Sequence, residues 1–148
     1  MSDTRDNRPF NSPLESGLRS LFLLVESHPE RCDLQRLLFY DYMVVHSADA
    51  NGPESLHPAT PHRSGEILVR RGLVERGLLL MLSRGLVDRS FDENGIEYCA
   101  SETAASFLAC LATPYAHGLS DRAHWVVSNF GGMSLSKLEN YFLSLIHI

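Results

Sequence analysis

The sequence predicts a mainly α-helical domain that carries one small β-hairpin. Apolar residues recur at helical spacing in successive segments, several of which begin with a capping residue followed by proline. After the third of these segments, the spacing of the apolar residues changes to that of two short strands. They flank a turn at 92–95, where Asn-Gly is a strong hairpin signal. With 148 residues, 44% of them apolar, the chain is long enough for one globular domain.

The first helix has a clear start signal. Ser12, Pro13 and Glu15 form a capping box with proline at the first helical position, and His28-Pro29 ends this helix. Residues 1–11, which precede it, hold almost no apolar side chains, so we expect them to form a disordered arm.

A second helix is predicted from about residue 33 to 47, and a loop rich in proline and glycine follows at 48–60. A third helix then runs from Thr60-Pro61 to about Ser83, and three glycines within it leave a kink or a split open. Its apolar residues lie on nearly every side. Such a helix is either central to the core or partly covered by another chain, and we expect both.

The strands of the hairpin are predicted at 86–91 and 96–100, and Gly85 supplies the left-handed residue between the third helix and the first strand. Three helices followed by a hairpin and a further helix are the order of a winged helix-turn-helix domain. We therefore predict this fold.

Additional C-terminal helices follow the hairpin. They are predicted at 101–112, at 114–130 and after Gly131-Gly132. Ser101 is the expected cap of the first, and Ser136 with Glu139 forms a possible capping box for the last.

The composition indicates a soluble protein of the cytoplasm. No apolar run approaches the ~18 residues that would span a membrane, and the polar N-terminus is unlike a signal peptide. The three cysteines are scattered, which argues against a disulfide framework. The formal net charge of −5 excludes a general nucleic-acid coat.

Among the charged residues, the arginines give the clearest indication of a binding surface. The chain has twelve Arg and one Lys. Residues 63–89 carry six Arg and three acids, a local charge of +3 within an acidic chain. This pattern is typical of DNA contact by a winged helix, but an interface with an acidic protein or plain solvation explains it as well. The candidate DNA or partner contacts are Arg63, Arg70, Arg71, Arg76, Arg84 and Arg89.

No credible catalytic set is present. The histidine pairs 57/62 and 117/124 lack metal-ligand spacing, and Cys99 has no activating base. The phosphate-binding and nucleophile-elbow motifs are absent from the sequence. We therefore expect no enzyme activity, no metal, no cofactor and no small-molecule substrate.

Three aromatic residues, Phe39, Tyr40 and Tyr42, crowd the second helix. At this spacing aromatic residues are most often core. Since neighbouring positions cannot all face one core, part of the set is a candidate anchor for another chain.

The segment 56–66, LHPATPHRSGE, followed by Val69-Arg70-Arg71, resembles the middle component 2 of bacterial ABC-three-component systems. Two earlier blocks, 11–15 and 33–37, are similar to the same family, and the likeness extends over about 11–142.

The final residues, 143–148, resemble a translated sequencing adapter. We therefore expect a single domain at 12–142, with a non-native tail on a truncated chain.

The family resemblance implies a non-enzymatic accessory subunit that binds an SMC-like ABC ATPase and couples it to an effector, as in Lamassu-like defence against phage and plasmids. The third helix and the aromatic second helix would dock on the ATPase, with His57 and Glu66 of the shared segment at the same interface. The arginines at 70, 71, 84 and 89 would touch double-stranded DNA or the effector.

The alternative is an autonomous winged-helix transcription regulator. It requires a symmetric dimer whose recognition helices lie about 34 Å apart, and specific binding that weakens steeply with salt. The acidic net charge and the lack of one basic stripe favour the accessory subunit.

Overall fold

The computed structural model describes residues 12–57 and 63–146. These residues form a mainly α-helical fold with an antiparallel hairpin, as predicted. The expected arm at 1–11 and the helix start at Thr60-Pro61 lie outside the described residues, and the winged helix-turn-helix assignment stays a prediction. The elements in chain order are α1 (Pro13–Ser27), α2 (Leu34–Val45), a 3₁₀ helix (Ser47–Ala50), α3 (Arg63–Ser83), β1 (Val87–Asp92), β2 (Gly95–Ala100), α4 (Ala104–Ala109), α5 (Pro114–Phe130) and α6 (Leu135–Ile146).

The starts of α1 and α2 are confirmed. The Ser12 hydroxyl accepts a hydrogen bond from the backbone N–H of Glu15 at 3.1 Å, with Pro13 in the first turn. At α2, a carboxylate oxygen of Asp33 accepts from the N–H of Arg36 at 2.8 Å. Both caps satisfy N–H groups that have no partner within the helix, which fixes where each helix begins.

The third helix is continuous through Gly72 and Gly77, so the split does not occur. Gly77 lies where α3 packs against α1. A Cβ atom added to Gly77 would lie 2.6 Å from the backbone nitrogen of Gly17, and one added to Gly17 would lie 2.8 Å from the carbonyl oxygen of Gly77. Glycine at both positions therefore allows the two helix backbones to touch.

The hairpin has the predicted position and a register that runs from Val87 opposite Ala100 to Asp92 opposite Gly95. The junction with α3 is also confirmed, since Gly85 adopts a φ of 71°. Beyond this glycine, the N–H of the next residue donates to the carbonyl of Met81 at 3.0 Å, which closes the C-terminus of α3 as a Schellman motif.

The predicted bounds of the later helices need two corrections. α4 covers only Ala104–Ala109, and Ser101 does not cap it, since the Ser101 hydroxyl contacts the Thr103 hydroxyl at 3.2 Å. α6 is capped by Ser134, whose hydroxyl accepts from the N–H of Lys137 at 3.2 Å, so the predicted cap at Ser136 already lies inside the helix. α5 has its predicted bounds.

α1 and α2 contribute twelve of the 30 buried core residues that the structure describes, and between them they pack against every other described helix. α6 reaches this core through Phe142, whose ring centroid lies 4.6 Å from that of Phe39 and 5.2 Å from that of Tyr42. Leu145 is also buried, within the segment expected to be a non-native tail. None of the described helices has the length and apolar character needed to cross a membrane.

Candidate functional site

A charged side chain lies at the centre of the apolar helix α2. Asp41 is fully buried, and each of its carboxylate oxygens accepts a hydrogen bond from an arginine of another helix. Nε of Arg19 on α1 lies 2.8 Å from Oδ1, and Nη1 of Arg70 on α3 lies 2.5 Å from Oδ2. Burial opposes ionisation of Asp41, but the two guanidinium groups outweigh it and hold the pKa of Asp41 below its ordinary value.

The ion pairs continue along α3. The second terminal nitrogen of Arg70 donates to Glu66, one helical turn earlier, and Nε2 of His46 lies 3.1 Å from the same Glu66 oxygen. Two arginines thus face two carboxylates, so their formal charges cancel inside the protein. We refer to Arg19, Asp41, His46, Glu66 and Arg70 as the buried ion-pair cluster.

The loop before α3 reaches the same region through His57. Its backbone N–H donates to the carbonyl of Val45 at 3.0 Å, and Nε2 of its ring lies 2.8 Å from the Tyr115 hydroxyl on α5. Burial and the nearby arginines lower the pKa of His57 to about 3, and burial raises the pKa of Tyr115 to about 12. A neutral imidazole and a protonated phenol therefore share this hydrogen bond.

The cluster constrains how the helices pack. A buried ion pair adds little net stability over an apolar packing of the same volume, but loss of one partner costs about 3–5 kcal/mol because a charge is left uncompensated. The contact of Arg19 and Arg70 with both oxygens of Asp41 requires a specific placement of α1 and α3 against α2. We therefore assign the cluster an orienting role.

Three residues of the segment that resembles the middle component family lie at this interior position. His57 and Arg70 are buried, and the side chain of Glu66 is 15% exposed. Glu66 contacts His46 just after α2, His57 contacts Tyr115 of α5, and Arg70 contacts Asp41 of α2. Direct contact of these three residues with a partner or DNA stays a prediction, and their interior placement does not favour it.

The aromatic residues of α2 also lie in the interior. Phe39 and Tyr42 both pack on Phe142 of α6, and the Tyr40 hydroxyl accepts a hydrogen bond from Arg36 at 2.9 Å. The three aromatic residues are at most 3% exposed. Because α1, α3, α5 and α6 all pack against α2, neighbouring positions on this helix can all be covered within one chain. A role for these residues as an exposed anchor therefore stays a prediction without support from their burial.

Two of the other predicted arginines make contacts at the surface. Arg71 donates to Gln35 at 3.0 Å, and the guanidinium of Arg89 lies 5.2 Å from the ring centroid of Phe91. Both arginines are exposed. They are therefore accessible to a partner or to DNA, and that contact stays a prediction.

The remaining predicted arginines lie along α3 and just after it. Arg76 and Arg84 are exposed. Arg63 begins α3, but the structure does not describe its side chain. Contact of these three residues with DNA or a partner also stays a prediction.

The side of α3 that faces away from α1 combines apolar and basic residues. Val69 is 72% exposed and Leu79 is 56% exposed, and Arg76 lies between them at helical spacing. Arg71 and Glu75 lie on the adjoining stripe and are also exposed. We refer to these five residues as the outer face of α3. Arginine and apolar residues together are enriched at the centres of protein interfaces.

The part of the chain that the structure describes contains no group of three or more His, Cys, Asp or Glu residues placed to hold a metal ion. Cys32 is buried, and burial raises the pKa of its thiol to about 11, which disfavours the reactive thiolate. The expected absence of metal, cofactor and enzyme activity stays a prediction.

Four residues of this interior region could not be identified as candidates by the reasoning applied to the sequence. For two of them, the sequence does contain a signal of a buried charge. Asp41 is the single charge in the run 37–45, and Arg19 lies between apolar positions of α1 that face the core. Charged residues of opposite sign at buried positions on two helices predict an internal ion pair. The other two, His46 and Tyr115, are brought to the region by contacts distant in sequence.

The comparisons with known proteins concern nearly the whole chain. The family described as ABC-three component (ABC-3C) system Middle Component 2 matches residues 9–147, which include the buried ion-pair cluster, the hairpin and the C-terminal helices. No curated protein and no solved structure shows a significant match. The chain therefore belongs to the middle component 2 family of ABC-three-component systems.

Proposed function

We propose that the chain is a non-enzymatic accessory subunit that binds the SMC-like ABC ATPase of its system and couples it to an effector. Membership of the middle component family implies association with the other components of an ABC-three-component system. Beyond that membership, we propose the identity of the partner, the absence of catalysis in this subunit, a location in the cytoplasm and a Lamassu-like role in defence against phage and plasmids.

The observation that carries the proposal is the outer face of α3. Val69 and Leu79 expose most of their side chains to solvent, although both belong to a helix whose opposite side packs tightly on α1. The centres of protein interfaces combine apolar area with arginine, and this face offers both. We therefore assign ATPase docking to this face.

DNA is the less favoured occupant of the same region. Exposed arginines lie on and beside α3, but Arg70 is neutralised internally by Asp41 and Glu66. DNA binding depends on several cations that reach phosphates, and apolar residues at the centre of a face add little to it. Contact with DNA would be an additional role of the assembled complex.

The proposal is tested by co-expression of the tagged chain with the genes beside its own, followed by affinity purification in buffer that contains nuclease. The expected result is a stable complex with a coiled-coil ABC ATPase that survives the nuclease. A chain recovered alone, as a dimer that binds the DNA upstream of its own gene, would contradict the proposal and identify a winged-helix transcription regulator.

A further inference from the structure

The hairpin has an open edge. β2 is paired on both sides, because Cys32 forms a bridge to Tyr98 in which each backbone N–H donates to the other's carbonyl, at 3.0 and 2.8 Å. β1 pairs with β2 on one side, and no strand among the described residues pairs with its other side. An open strand edge presents backbone donors and acceptors to another chain.

The backbone groups at this edge follow from the register. Since the N–H and carbonyl of Tyr98 are directed to Cys32, its cross-strand pair with Arg89 is not hydrogen-bonded. Hydrogen-bonded and non-hydrogen-bonded pairs alternate along an antiparallel ladder. The even-numbered residues of β1 therefore form the backbone hydrogen bonds with β2. Arg89 and Phe91 therefore direct their backbone groups away from β2, toward the open edge.

Around this edge, one face of the hairpin carries Phe91, Ile96 and Arg89, and the other face is acidic. Phe91 is 68% exposed and Ile96, directly opposite, is 43% exposed. The acids of the hairpin outnumber its single base, Arg89, by four to one, which gives a formal charge of −3. Arg31 donates to the Ser90 hydroxyl at 3.1 Å and offsets one of these charges. The acids are Asp88, Asp92, Glu93 and Glu97.

We propose that the open edge of β1 accepts an extended segment of another component of the same ABC-three-component system by β-strand addition. The segment has alternating apolar and basic side chains, which would lie beside Phe91 on one face of β1 and beside Asp88 and Asp92 on the other. This inference rests on the proposed function, because the donor is a component of the same complex.

The charge of the hairpin decides between the possible occupants. An acidic hairpin repels DNA phosphates, so the strand is unsuited to the backbone contact that a winged helix makes with its hairpin. A second copy of this chain would bring two acidic hairpins together, with like charges in neighbouring positions. A basic and apolar segment of a different protein satisfies both the charge and the backbone groups.

The test combines two variants at one position. Arg89→Pro removes the outward backbone N–H, which the hairpin does not use, while Arg89→Ala removes the side chain and keeps that N–H. The probes are the ABC ATPase and the effector components co-expressed with the chain. We expect Arg89→Pro to weaken binding of the donor about tenfold or more, and Arg89→Ala to weaken it much less. Equal binding by Arg89→Pro and wild type would overturn the inference.

A measurement on the wild-type protein covers the case in which Arg89→Pro fails to fold. Residue-level amide exchange should be fast at Arg89 and Phe91 in the isolated chain and slow in the complex. A complex that forms without this protection overturns the inference and leaves the proposed function standing, whereas the absence of any complex overturns both. Protection by duplex DNA, or in the isolated chain at rising concentration, would also overturn the inference, because the occupant would then be DNA or a second copy.

Discussion

Arg70 on α3 and Asp41 on α2 form an ion pair in the protein interior, with Nη1 and Oδ2 separated by 2.5 Å. Arg70 belongs to the segment that resembles the middle component family, whereas Asp41 lies in an otherwise apolar part of α2. The pair therefore joins that segment to the core of the fold. We infer that the buried residues of the segment orient α3, whereas Val69 and Arg71 of the same segment are exposed and belong to the outer face that α3 presents to a partner.

Asp41→Asn should reduce the free energy of unfolding by about 3–5 kcal/mol, because Arg19 and Arg70 would lose the counter-charge that they share. Asp121→Asn, at an exposed position on α5, is the matched control and should change it by no more than about 0.5 kcal/mol. Urea unfolding followed by circular dichroism measures both. A loss below about 1 kcal/mol for Asp41→Asn would show that the cluster does not hold the helices together.

Gly77→Ala should destabilise the protein by about 1–3 kcal/mol, because the added methyl group would push α3 away from Gly17. Gly72→Ala on the same helix is the control. Its added methyl group would meet only the end of the flexible Arg76 side chain, at 3.3 Å, so the gain in helix propensity should leave stability unchanged or raise it by about 1 kcal/mol. Thermal unfolding distinguishes the two, and equal behaviour of both variants would contradict the close packing.

The stability contributed by His57 should fall as the pH is lowered. Its folded-state pKa of about 3 lies below the value of about 6.5 in an unfolded chain, so between these values the unfolded chain binds a proton that the folded chain does not. The contribution is complete above pH ~6.5 and decreases as the pH falls toward ~3, with a slope of at most about 1.4 kcal/mol per pH unit.

The comparison of wild type with His57→Gln measures this contribution. The difference between their free energies of unfolding should be largest at pH ~7 and should shrink on acidification to pH ~4.5. His117→Gln, at an exposed position of α5, is the matched control for the loss of an imidazole. A difference between wild type and His57→Gln that is constant with pH would show that the imidazole takes up protons equally in both states.

Elements that depend on local rules could be predicted from the sequence. The caps at Ser12 and Asp33, the left-handed Gly85 and the hairpin all rest on residues near each other along the chain. Features that depend on long-range contacts could not. The burial of the aromatic residues of α2 depends on α6 and other elements far along the chain, and nothing local to α2 indicates them.

The candidate site shows the same division. The basic character of residues 63–89 is visible in the composition, but which arginines reach the surface depends on the partners that α1 and α2 offer. Arg70 and Arg71 are neighbours in sequence, and one is buried against Asp41 while the other is exposed beside Gln35. A helix turns by about 100° per residue, so adjacent arginines have different surroundings.

We propose that the chain binds the ABC ATPase of its system through the outer face of α3. The most direct measurement is the dissociation constant of the purified ATPase component for the Leu79→Asp variant, with Leu14→Asp as the control at a similarly exposed leucine of α1. We predict a rise of about tenfold or more for Leu79→Asp and little change for Leu14→Asp. Wild-type affinity in the Leu79→Asp variant, with the fold intact by circular dichroism, would contradict the claim.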